Sequence, residues 1–141
     1  MVAFNAVDPR SITLKDAETF AGVGLILTND GTTNNAKIHP GGAVVPIGIT
    51  AGESSRDADQ AFETTGATVS FLPLVGVQMV QSKASQTYTF GLPVYAGASG
   101  LLLDSQDSSD KKIGIYVGEG EVTSSANGDM VPVLLSGVAL A

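Results

Sequence analysis

The chain has 141 residues, with seven Lys and Arg against fourteen Asp and Glu, one His, no Cys and no Trp. One domain is expected at this length, and it can bury roughly two-thirds of its unfolded surface without disulfides or a structural metal. Thiol chemistry, haem attachment, Fe–S clusters and closed zinc sites have no ligand set, and a net charge of −7 opposes direct nucleic-acid binding and docking on anionic membranes.

Residues 1–21 carry scattered apolar positions (Val2, Phe4, Val7, Ile12, Leu14, Phe20) without a sustained period. They are expected to be an N-terminal arm or loosely packed lead-in to a single β-rich domain over 22–141. Residues 1–10 include Asp8 and place no early Lys or Arg ahead of an apolar stretch, so the secretory signal pattern is not met. Residues 22–28 (GVGLILT) predict a strand running into a tight turn at Asn29-Asp30-Gly31, because Asn and Asp tolerate left-handed backbone and Gly prefers it. Residues 32–42 are polar and turn-rich. Residues 43–50 (AVVPIGIT) are β-branched, and Pro46 confines that strand to an edge or a bulge. Over 52–65 the pattern predicts a helix of about two to three turns. Ser54 stands three residues before Asp57 as an N-cap, and Ala58, Ala61 and Phe62 share one face. From 67 to 81 (ATVSFLPLVGVQMVQ), Val69, Phe71, Val75, Val77 and Met79 alternate with smaller or polar residues, with Pro73 and Gly76 marking a bulge or bend. Short strands follow at 87–90, 93–95, 101–103, 113–117, 121–123 and 131–135, each bounded by Gly, Ser, Asp or Asn. Residues 137–141 (GVALA) complete a strand or lie on a neighbour. Short strands at this spacing, with seventeen Gly, predict an all-β sandwich or barrel with one short helix. Mean hydropathy is +0.24, yet no apolar run approaches the roughly twenty residues of a membrane-spanning helix.

Paired carboxylates, Asp57 with Asp59 and Glu119 with Glu121, are what general acid–base catalysis uses. Neither pair has the aromatic-rich cleft signature of a glycosidase, so solvated surface is expected. Asp104, Asp107 and Asp110 in LDSQDSSDKK offer the hard oxygens of a cation loop. The spacing lacks the alternate ligands and central Gly of an EF-hand, and Ile115 stands where the closing Glu belongs. A polar hairpin tip is the expectation, with cation binding left open. Gly22-Val23-Gly24 has neither the third Gly of a dinucleotide fingerprint nor the Lys-Ser/Thr of a phosphate loop, and reads as strand glycine. Ser99 in Gly97-Ala98-Ser99-Gly100 has the wrong spacing for a nucleophile elbow and suits a tight turn between strands. His39 precedes Pro40-Gly41-Gly42 and suits a structural place in a loop. Phe4, Phe20, Phe62, Phe71, Tyr88, Phe90, Tyr95 and Tyr116 are core or contact residues, none in the basic context of a base-stacking platform. No catalytic, cofactor-binding or metal residue is assigned. The Val, Ala, Thr and Gly content favours broad uncharged surfaces for protein contact.

From Ala67 onward the order of elements resembles the small capsid decoration, or cement, proteins of tailed bacteriophages. Four stretches carry the resemblance: ATVSFLPLVGVQMV, GLPVYAGASGLL, IGIYVG and GDMVPVLL. In that family the residue after the first Gly of the second stretch is usually Asp, and Leu92 stands there. About half the chain is covered. Residues 41–51, with their Val-Pro-Ile-Gly-Ile core, fit the same pattern, and residues 1–40 show no match. The resemblance implies a non-enzymatic all-β homotrimer without cofactors, made in the host cytoplasm. It would sit on the outer surface of an icosahedral phage head in the virion and bridge major capsid protein subunits. An extended arm such as residues 1–20 would then add a strand to a neighbouring sheet. Two other expectations stand beside it. One is a tail, fibre or head-fibre module. The other is a small carbohydrate-binding or hydrolytic β domain using Asp57, Asp59 or Glu119, which the absence of Trp disfavours.

Overall fold

The computed structural model describes residues 9–107 and 109–136. Their strands are β1 (Arg10–Thr13), β2 (Ile26–Asn29), β3 (Ala36–Ile38), β4 (Pro46–Thr50), β5 (Thr68–Pro73), β6 (Val75–Ser82), β7 (Thr87–Tyr88), β8 (Pro93–Ala96), β9 (Leu102–Leu103), β10 (Lys112–Tyr116), β11 (Val122–Thr123) and β12 (Asp129–Ser136). Among the described residues the fold is all-β, with one 3₁₀ turn at Ala98–Gly100. Strands β1, β5, β4, β2 and β3 form one sheet in that order, while β10, β12, β6, β9 and β8 close into a barrel. The open sheet curls until its two ends meet, where the Lys15 amide donates to the Ala36 carbonyl (2.9 Å). Curling in this way removes most of the exposed edge that would otherwise template aggregation.

Two apolar clusters fill these units. Tyr88, Val94, Leu102, Ile113, Tyr116, Val131 and Val133 pack inside the barrel with Ile26 and Ile49 from the sheet. Leu14, Phe20, Leu25, Leu27, Ala36 and Val69 form the second cluster inside the curled sheet. Successive side chains of a strand point to opposite faces, so β2 sends Ile26 to one core and Leu27 to the other, which Leu25, just before the strand, also joins. That double burial explains an unbroken apolar run where a half-exposed strand would alternate.

The stretch 67–81 is two strands in two units. β5 belongs to the curled sheet and β6 to the barrel. Between them Leu74, buried in the barrel cluster, carries the chain across and reverses its parity. Val69 is buried before the crossing, whereas Val75, Val77 and Met79 are exposed after it.

Several expectations are corrected. The helix over 52–65 does not form. Ser54 is buried and accepts from the distant Phe20 amide (3.1 Å), so it caps nothing. The Asp57 carboxylate accepts from the Asp59 and Ala61 amides (2.9 and 3.1 Å), a local bonding mode that competes with helix. Gln60 is left-handed (φ 67°). Arg56 holds the resulting loop through both Glu53 carboxylate oxygens, the Gln60 carbonyl and the face of Phe62. Residues 10–20 are not loosely packed: β1 pairs with β5 and Phe20 is fully buried. Residues 1–8 and 137–141, with the arm and final-strand readings that fall on them, lie outside the described residues. Gly22 and Gly24 precede β2 instead of lying in it, and the Gly24 carbonyl accepts from the Gln81 amide of β6 (2.8 Å). Pro46 opens β4 opposite a register shift, and β4 is interior, flanked by β2 and β5. Of its two predicted accommodations, the irregularity is the one realised. No helix among the described residues is long and apolar enough to cross a membrane.

Candidate functional site

The polar signals singled out in the sequence fall mainly on loops. A cleft of about 540 Å³ brings Ser99, Asp107 and Asp110 together with Gly41, Gly42 and Lys83. Ser99 lies in the turn between β8 and β9, left-handed at φ 59°, in keeping with a tight turn. His39 is fully buried in the loop leading to that cleft. Its Nε2 donates to the Val44 carbonyl (2.8 Å) and its Nδ1 accepts from the Gly41 amide (3.0 Å). Asp110 Oδ1 accepts from the Gly42 amide (2.6 Å). The imidazole and the carboxylate are thus spent on backbone, so Ser99, His39 and Asp110 are neighbours without being a proton relay.

Of the three carboxylates of the candidate cation loop, Asp107 and Asp110 line the cleft and Asp104 does not. Asp104 Oδ2 accepts instead from the Thr87 amide (2.7 Å). Among the described residues no group of three or more His, Asp or Glu is placed to hold a metal ion. Glu119 and Glu121 precede β11 in a turn instead of sharing a strand face. Asp57 serves its own loop. Two exposed carboxylates are held ionised by local bonds: donation from Thr33 and from the Thr32 and Thr33 amides lowers Asp30, and the Ser125 and Ala126 amides lower Asp129. Both brace turns.

The most distinctive surface is the outer wall of the barrel. β6 and β12 pair over their full lengths, with Val77 opposite Leu134, Met79 opposite Pro132 and Gln81 opposite Met130. These positions share the outward face, while Val80, Val131 and Val133 of the same strands fill the core. The row continues around the barrel, since Leu134 is opposite Ile115 and Ile115 opposite Pro93. Val77 is 63% exposed, and Val75, Met79, Met130 and Leu134 are each exposed by two-fifths or more. None of these outward residues is charged, although the chain carries −7. Only the first half of the inward face of β6 is poor in apolar groups: Gly76 and Gln78 occupy it, and Gln78 Nε2 is spent on the Pro73 and Val75 carbonyls (2.8 and 3.0 Å) at the crossing.

A second apolar feature stands at one end of the barrel. Thr89-Phe90-Gly91-Leu92 form a turn closed by the Leu92 amide on the Thr89 carbonyl (3.0 Å), and Gly91 supplies the φ of 83° at its third position. Backbone bonds from Gly91 to Tyr116 and from Tyr116 to Leu92 (2.9 and 3.0 Å) fasten it to the barrel. Phe90 and Leu92 project from it, 67% and 55% exposed. Sequence reasoning placed Phe90 among core or contact residues and missed the wall, whose only signal is the apolar period of β6.

Fold and surface together define an all-β protein with an uncharged apolar face on β6 and β12 and an apolar projecting turn. No protein-family model matches the chain, and no curated protein is similar to it.

Proposed function

We propose that this protein is a non-enzymatic structural component of a virion. In this reading it is a homotrimeric decoration protein that binds the outer surface of an icosahedral phage head and bridges major capsid protein subunits. The observation that carries the reading is the exposed, charge-free face of β6 and β12 on an acidic protein, because contiguous exposed apolar surface marks protein contact. The likeness of the β5–β12 sequence to phage decoration proteins supports the choice of partner. A protein that binds only the mature lattice stabilises it by mass action. The test is co-sedimentation with expanded, undecorated shells of the virus that encodes it. Saturable binding is expected, together with shells that withstand more heat or chelator. A folded protein that leaves such shells unoccupied defeats the assignment.

A further inference from the structure

We infer that the barrel wall docks a second copy of this chain, by receiving the Phe90–Leu92 turn of its neighbour. This rests on the reading of the wall as a protein-contact surface, not on the nature of the shell.

Three observations choose the occupant. The first is charge. The outward residues of β6 and β12 offer no carboxylate or cation, so nothing on the wall selects a charged partner, and what it complements is an uncharged apolar projection. The second is supply. The chain carries such a projection in Phe90 and Leu92, the former the most exposed large apolar side chain among those described. Its turn is already fixed by three backbone bonds, so little conformational freedom is lost on docking. The third is coverage. A single copy leaves both the wall and the turn in water, Val77 and Phe90 each more than three-fifths exposed, and a chain that uses its wall toward one neighbour and its turn toward the other covers both apolar features.

Such a contact is head-to-tail, with two different patches meeting, and head-to-tail contacts generate rings when the rotation closes. It also lets copies that each carry −7 meet where neither bears charge.

The test uses two surface variants of the full chain, Phe90→Asp to disable the turn and Val77→Asp to disable the wall. Far-ultraviolet circular dichroism and melting confirm folding, and Leu134→Lys replaces Val77→Asp if that variant does not fold. By light scattering the unmodified chain is expected to be an oligomer and each variant alone a monomer. An equimolar mixture is expected to form a one-to-one dimer, because one intact wall meets one intact turn. An unmodified chain that is monomeric, a variant that keeps its assembly, or a mixture that stays monomeric overturns the inference. Shell binding is scored separately. Monomeric variants that still saturate shells leave the decoration reading intact, whereas an unmodified oligomer that ignores shells defeats that reading and leaves this contact standing.

Discussion

Tyr88 shows how one buried group can tie stability to pH. Its ring packs against Tyr116 (5.7 Å between centroids), and its hydroxyl reaches the Leu102 carbonyl (3.0 Å) and Ser82 Oγ (2.6 Å). Burial, opposed by the Ser82 hydrogen bond, pushes the phenol up to about 12. An unfolded tyrosine ionises near 10, so the native state holds this proton where the unfolded state has lost it. Stability is therefore fully present below about pH 10 and falls as pH rises through 12. By pH 11 the loss traceable to Tyr88 is about 1 kcal/mol. Urea unfolding at pH 8 and pH 11 checks this. The wild type should lose more stability across that interval than Tyr88→Phe, and equal losses would rule the phenol out as the source. His39 makes the complementary point about legibility. Its place in a Pro-Gly-Gly loop was readable from its neighbours, but its partners, Val44 and Gly41, are fixed by how that loop folds back.

At the scale of elements, close approach between strands sets what can be substituted. A Cβ on Gly114 would overlap the Leu134 carbonyl, whereas one on Gly52 would meet nothing within 4 Å. Gly114→Ala must push β10 from β12 and should cost about 1–3 kcal/mol. Gly52→Ala should be near neutral. Thermal melts of the two variants decide it, and similar melting temperatures would mean that the barrel gives way more easily than its packing implies. Most strands were legible because β-branched runs are punctuated by turn residues, as at Pro93–Ala96 and Lys112–Tyr116. What stayed hidden was parity. The alternation from Val69 to Met79 reads as continuous, yet one buried residue, Leu74, exchanges inside for outside. Periodicity reports that alternate residues share a face and is silent on which face is covered. The absent helix at 52–65 was hidden for another reason: Ser54 answers to Phe20, 34 residues away.

At the scale of the whole molecule, β2 belongs to both apolar clusters, so neither unit keeps its core if the other opens. All three tyrosines, Tyr88, Tyr95 and Tyr116, lie on β7, β8 and β10, which makes tyrosine fluorescence a reporter of the barrel side. Leu27 lies in the other cluster. Leu27→Ala should lower stability by about 2–5 kcal/mol, and the fluorescence-detected transition should move as far as that seen by circular dichroism. A tyrosine signal left in place would show two independently melting units. The uncharged wall and turn have one further consequence. Apolar association near room temperature is driven by the entropy of water and weakens on cooling, while salt has no charge pair to screen there. An assembly held through those surfaces is therefore cold-labile, tightest in the warmth in which it is made and loosened by ice before it is loosened by brine.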